Sequence, residues 1–275
     1  MRIVCQQLSP TFGDFEANRR ASVAAIREAV EAGGQVVVLP ELTTSGYVFK
    51  SREEAEAVAI GRDHPIFGEW AAEIARAPGG EGFVFAGFCE LGDDGLLYNS
   101  AAIVDPSGLM ATYRKTHLWD REKLFFTPGV DLPPVLRTPL GRIGVLVCYD
   151  LEFPELTRTL ALHGAELIVV CTNWPLVEHP AGEHAPEVVI AMAAARTNRI
   201  FIACCDRAGV ERGQEWNEAT SVVDENGWVI ATVQDGTAIA DVDLRRATHK
   251  RLTSLADAFA DRRPELYSAV VSANP

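Results

Sequence analysis

Three apolar runs, IGVLVC (143–148), LIVVCT (167–172) and IFIACC (200–205), are separated by segments that read as helices over 153–163 and 182–197. Each run is too short for a helix of its own and is rich in β-branched residues, so the stretch predicts strand, helix, strand, helix, strand. Pro154 fits the first turn of the first helix, where a missing backbone N–H is harmless. Downstream, residues 219–224 and 228–233 flank Glu225-Asn226-Gly227, a strong hairpin signal, and a further strand is expected at 237–243.

The first half of the chain has a similar design. RIVCQQL (2–8) reads as a strand, and 14–32 as a helix with Asp14 as N-cap, Val23, Ile26 and Val30 at helical spacing, and Gly33-Gly34 as the stop. Val36 to Leu39 are consecutively apolar, the mark of a strand buried on both faces. Helical segments at 52–60 and 65–77 precede strands at 83–89, 97–104 and 109–114, the last two joined by a Pro106-Ser107-Gly108 turn. Parallel alternation followed by hairpins means mixed sheets. Two such halves, each needing helices over one sheet face, predict an α/β fold of helix-sheet-sheet-helix layers around one core between the sheets. No low-complexity linker divides residues 1–275, so one domain is expected. The irregular segments 40–50, 115–140 and 173–187 are too long and too aromatic to be mere connectors and are the expected site-forming loops.

Composition excludes several function classes. The 275 residues carry 25 basic and 38 acidic side chains, a net charge of −13, which leaves no electrostatic footprint for nucleic acid or an anionic membrane. The sequence has no secretory-type start and no window approaching a membrane span, which predicts a cytoplasmic protein. Six cysteines without a C-x-x-C pair argue for reduced thiols rather than disulfides or structural zinc. His179 and His184 lie in EHPAGEH, where Pro180 and Gly182 break any helix, so a solvated loop is expected rather than a metal site. No cofactor motif occurs.

Three ionisable residues stand at or just past the end of an expected strand: Glu41, Lys115 and Cys148. Singly, each has an ordinary reading as a cap, a solvated cation or an inert small hydrophobe. Together they supply amide or nitrile hydrolysis by a thiol. The thiol needs a base, for which Glu41 is the candidate. The oxyanion formed on attack needs fixed donors, for which Lys115 and the backbone N–H of Tyr149 are candidates. A Cys-His hydrolase is the standard alternative, yet Leu146-Val147-Cys148-Tyr149-Asp150 matches neither a papain-like nor a G-x-C-x-G context. His117 is expected to be a hydrogen-bonding residue behind the site. The loops make Tyr47, Trp119, Asn173 and Trp174 candidate substrate contacts, with Phe125 beside them.

VVVLPELTTSGY (36–47), YRKTHLW (113–119) and VCYDLEFPE (147–155) resemble, in order and separation, the three signature segments of the nitrilase superfamily, carbon-nitrogen hydrolases with a Glu-Lys-Cys triad. The resemblance covers nearly the whole chain. It implies a four-layer αββα sandwich, places the triad on Glu41, Lys115 and Cys148, and places a further glutamate of the family on Glu122 in WDREKLFFTPG. Family nitrilases usually read Cys-Trp-Glu at the nucleophile, and carbamoyl-amino-acid hydrolases carry arginines three and four residues after it. Here the residues are Cys148-Tyr149-Asp150 and Leu151-Glu152, so a small neutral carboxamide is the expected substrate, with N-carbamoyl compounds and nitriles as alternatives. Two other classes stay open: an inactive amide-binding protein on this fold, and a hydrolase using Glu41 and Glu122 without the thiol. Apolar residues on more than one face of 153–163 and 182–197, a tail at 257–275 too poor to form its own core, and the family's common dimers all predict a homodimer or higher oligomer.

Overall fold

The computed structural model describes residues 1–272. Its first six-stranded sheet is built on three parallel strands, β1 (Arg2–Gln6), β2 (Val36–Val38) and β3 (Phe83–Leu91). The antiparallel hairpin of β4 (Leu97–Asp105) and β5 (Gly108–Arg114) extends β3. Helices α1 (Phe15–Glu31), α2 (Arg52–Glu56) and α3 (Ile66–Ile74) lie between these strands in sequence.

The second sheet repeats the plan. Strand β6 (Val135–Thr138) pairs antiparallel with β7 (Gly141–Val147), which continues in parallel through β8 (Leu167–Cys171) to β9 (Phe201–Cys205). Helices α4 (Pro154–Leu162) and α5 (Pro186–Asn198) supply the crossovers. After a two-stranded hairpin, β10 (Val210–Glu211) with β11 (Gln214–Glu215), strands β12 (Ser221–Val223) and β13 (Val229–Thr232) complete the sheet. The chain then returns to the first sheet as β14 (Thr237–Asp241), antiparallel to β1.

Alternation along the strands sorts the side chains into layers. In β3, Phe83 and Phe85 join the core between the sheets, while Val84, Ala86 and Phe88 face α1 and α3. Val36 and Val38 likewise point to the inter-sheet core and Val37 to the helical side. Leu160 and Ala161 of α4 and Ala191 and Ala195 of α5 are buried against the second sheet. The layers are therefore α, β, β, α, with two mixed sheets, as the sequence predicts.

Several boundaries shift for local reasons. The helix expected at 52–60 stops at Glu56, because Ile60 forms a β-bridge with Glu90. The helix expected from 182 begins at Pro186, since Gly182 has φ +87° and Ala185, preceding a proline, is extended. Strand β6 lies inside the segment expected to be irregular: four residues after Pro133-Pro134, three half-exposed and Arg137 exposed, carry too little pattern to read.

Candidate active site

The site forms beyond the carboxyl ends of the parallel strands. Past β2 the chain turns through Pro40 into Glu41, whose backbone lies against Gly87 of β3. A Cβ on Gly87 would stand 2.3 Å from the Leu42 nitrogen and 2.5 Å from the Glu41 Cα, so glycine is required for this close approach. Lys115 follows β5 and is held by Asn99 and Gly129 through backbone hydrogen bonds of 2.9 and 2.8 Å. Cys148 was expected to close a strand. It instead opens a 3₁₀ turn, Cys148–Glu152, with φ +47°, a strained left-handed conformation for a non-glycine residue.

These elements bring Glu41, Lys115, Glu122 and Cys148 into one buried cluster. The Lys115 Nζ donates to Glu41 Oε1 at 2.7 Å and to Glu122 Oε1 at 2.8 Å. Asn99 Nδ2 donates to the same Glu41 oxygen at 2.6 Å, and the Tyr47 hydroxyl donates to Glu122 Oε1 at 2.6 Å. Glu41 Oε2 is buried without a hydrogen-bond partner. The Cys148 thiol, 5 % exposed, points toward the Asn173 carbonyl at 4.0 Å.

Burial governs the charges here. It pushes Glu41 up to about 7, against the pull of Lys115 and Asn99. Burial alone would lower Lys115, but the charges of Glu122 and Glu41 hold it well above the ordinary lysine value. The Cys148 thiol is raised well above its usual range, first by burial and then by Glu41, with Lys115 opposing. The thiol thus rests protonated beside a carboxylate with a free oxygen and a titration point near neutrality. That arrangement suits proton transfer during attack rather than a standing thiolate.

Asp150, read in the sequence only as context, fixes the nucleophile turn. Its Oδ2 accepts from the Val147 N–H at 3.2 Å and the Tyr113 hydroxyl at 2.8 Å. Its Oδ1 accepts from the Thr116 hydroxyl and the His117 N–H, each at 3.0 Å, and lies 2.8 Å from His117 Nδ1. The carboxylate therefore ties the Cys148 turn to the segment carrying Lys115. His117 stacks on Phe153 at 3.7 Å between ring centroids. Another buried carboxylate, Glu211, accepts from the Tyr47 and Val48 N–H groups at 2.8 and 2.5 Å and pairs with the buried Arg207 at 2.8 Å. Neither role has a signal in local sequence, because each depends on partners remote along the chain.

Tyr47 and Trp119 line a cavity of about 120 Å³ together with Glu122, Phe125 and Phe126. Tyr149 sits at the second position of the 3₁₀ turn, where a backbone N–H has no partner within the helix, and its ring meets Trp119 edge-on at 4.8 Å. Asn173 turns its amide onto the Glu41 carbonyl at 2.8 Å, leaving its Oδ1 buried and unpartnered. Trp174 is 2 % exposed and packs in the inter-sheet core, its backbone N–H donates to Asp206 at 2.9 Å, and like Cys148 it is not among that cavity's lining residues. Arg121 also lines the cavity, alongside Asp120, and was not singled out in the sequence.

Fold and cluster together describe a hydrolase with a buried thiol, a carboxylate and an ammonium group. The chain belongs to the carbon-nitrogen hydrolase family, whose model matches residues 2–251. It is 34% identical over 271 residues to a protein named nitrilase from Pyrococcus abyssi, covering 97% of this chain and 99% of that one. An (R)-stereoselective amidase from a Pseudomonas species is 34% identical over 233 residues, 84% of this chain and 80% of the relative. Among solved structures, the amidase from Nesterenkonia sp. AN1 superposes with a TM-score of 0.77 at 27% identity, covering 98% of this chain and 99% of that chain. That structure is a Glu-to-Gln variant showing Michael addition of acrylamide at the active-site cysteine.

Proposed function

We propose that this carbon-nitrogen hydrolase is an amidase converting a small neutral carboxamide to the carboxylic acid and ammonia through a thioester on Cys148. The observation that carries this reading is the unpartnered Glu41 Oε2, in a buried cluster with the Cys148 thiol and an ammonium group fixed on Glu41 and Glu122. In this mechanism the Cys148 sulfur attacks the amide carbon while its proton passes to Glu41. Lys115 and the Tyr149 N–H hold the oxyanion. Glu41 returns the proton to nitrogen, the C–N bond breaks and ammonia leaves. A water, giving its proton to Glu41, attacks the thioester; collapse breaks the C–S bond, and the returning proton restores the thiol. Glu122, braced by Tyr47, keeps Lys115 in place.

A neutral substrate is favoured because the positions just after the nucleophile, Leu151 and Glu152, offer an apolar side chain and a negative charge rather than a cation for a substrate carboxylate. Of two arginines on distant loops that could supply a carboxylate-binding cation, Arg196 and Arg199, Arg199 is engaged with the Glu225 carbonyl and Asn226. Similarity to a protein named nitrilase favours nitriles as the second reading. Ammonia release from purified protein, measured with propionamide, propionitrile and an N-carbamoyl amino acid, distinguishes them. Propionamide is expected to give the highest kcat/KM, and an advantage of about tenfold or more for either competitor would overturn the substrate assignment.

The pH profile is a further check. Glu41 accepts the thiol proton only when ionised, so kcat/KM is expected to rise with pH through about 7. A profile flat through that region would remove Glu41 as the base.

Residues 1–275 are read as one hydrolase domain that forms a homodimer or higher oligomer. Leu162 of α4 and Val189 of α5 are exposed, and the tail brings exposed Leu266 and Val270 to the same molecule's surface. Tyr267 and Val270 line a groove with α4, which a second copy would cover. Residues 273–275 of the expected partner-packing tail lie outside the described residues. Light scattering at micromolar concentration is expected to give at least twice the 29.9 kDa chain mass, and a monomer would contradict this. No described helix is long and apolar enough to cross a membrane, and all six cysteines are free. Free thiols fit the reducing cytoplasm proposed for this enzyme.

A further inference from the structure

Asp206 is a fully buried carboxylate just past β9 that the proposed chemistry does not use. Its Oδ1 accepts hydrogen bonds from the Trp174 N–H at 2.9 Å, its neighbour Arg207 N–H at 3.0 Å and the Thr172 hydroxyl at 3.2 Å. Its Oδ2 accepts from the Ala219 N–H at 3.0 Å. Three of the partners are backbone N–H groups, which can only donate, so both oxygens are needed as acceptors; the Thr172 hydroxyl shares its proton between Asp206 and the Cys205 carbonyl at 3.3 Å.

Two of these donors belong to the three-residue loop Thr172-Asn173-Trp174, and this loop holds both reacting groups. The Thr172 carbonyl accepts from the Glu41 N–H at 3.3 Å, and Asn173 Nδ2 donates to the Glu41 carbonyl at 2.8 Å. The Asn173 carbonyl receives the Cys148 thiol. Asp206 grips the loop at the residue on either side of Asn173. We propose that Asp206 is a positioning residue that sets the thiol of Cys148 against the carboxylate of Glu41 through the 172–174 loop. Proton transfer is steeply sensitive to donor–acceptor placement, so a small drift of this loop is felt at the thiol before it is felt in binding. Burial raises Asp206 to about 6 even with four donors around it, which marks a carboxylate kept in place at a cost to stability above that pH.

The inference rests on the proposed thiol–carboxylate chemistry, but its test does not need an amide substrate. Asp206→Asn keeps the shape and must turn its NH₂ group toward a donor on one side or the other. Alkylation of Cys148 by iodoacetamide, followed by peptide mass mapping, is expected to slow by about tenfold or more in this variant. With an amide substrate, kcat should fall comparably while KM stays within about threefold, a split that general loosening of the cavity would not give. Thr172→Val removes one tie to the loop and leaves the carboxylate. Its alkylation should slow by about threefold. If Asp206→Asn fails to fold, Thr172→Val decides alone. Alkylation at the wild-type rate in a folded Asp206→Asn, or in Thr172→Val when it decides alone, would overturn the proposal. Slowed alkylation in a protein whose wild type turns over no amide would retain the positioning role and reject the amidase reading.

Discussion

Cys148→Ala is expected to lower amide turnover by at least ~10⁴-fold while leaving the melting temperature nearly unchanged. The thiol's hydrogen bond to the Asn173 carbonyl is long, 4.0 Å, and alanine deletes a single buried atom without leaving a buried charge. Cys148→Ser should fail almost as completely. A serine hydroxyl is far less acidic than a thiol, and a carboxylate titrating at about 7 is too weak a base to activate it. These variants also separate the thiol mechanism from a carboxylate pair acting through Glu41 and Glu122. Turnover retained in Cys148→Ser, measured as ammonia release, would select the pair.

Changes at Lys115 should affect both rate and stability, unlike changes at Cys148. Lys115 is fully buried between Glu41 and Glu122, so Lys115→Ala leaves two carboxylates facing each other without a cation. Breaking such a pair costs about 3–5 kcal/mol, and the oxyanion donor is lost as well. The expected result is a lowered melting temperature and a kcat reduced by at least ~10²-fold. Lys115→Arg should also fail, because a planar fork cannot replace a compact ammonium whose two acceptors lie at 2.7 and 2.8 Å. Glu41→Gln provides the contrast: it retains an oxygen for Lys115 and Asn99 but cannot accept the thiol proton, so activity should fall by at least ~10²-fold in a well-folded protein. Wild-type turnover in any folded member of this set would remove that residue from the mechanism.

The layer order was legible because consecutive apolar residues such as Val36–Leu39 and Ile168–Cys171 leave no solvent face, and buried parallel strands need helices on the outside. Glu41, Lys115 and Cys148 could be singled out because each stands at or just past the end of an expected strand. The supporting residues could not be found that way. Asp150 reaches Tyr113 and His117, 37 and 33 positions earlier, and Asn99 reaches Glu41 across 58 positions. Their roles come from strand register and from where the two sheets meet, which no local spacing records. The same limit applies to Trp174: its loop position does not record that the side chain packs in the core between the sheets or that its backbone N–H meets Asp206, 32 residues away. The left-handed φ of Cys148 goes with a local contact, the Asp150 carboxylate accepting from the Val147 N–H three residues back, while Tyr113 and His117 hold that carboxylate from a distance.

The central claim is that Cys148 carries the acyl group. Intact-mass and peptide analysis of the protein quenched during turnover of a slow amide tests it most directly. One acyl adduct per chain is expected, on the peptide spanning 147–155 and sensitive to hydroxylamine as a thioester is. An adduct on Cys171, Cys204 or Cys205, or continued turnover with Cys148 fully alkylated, would contradict the account.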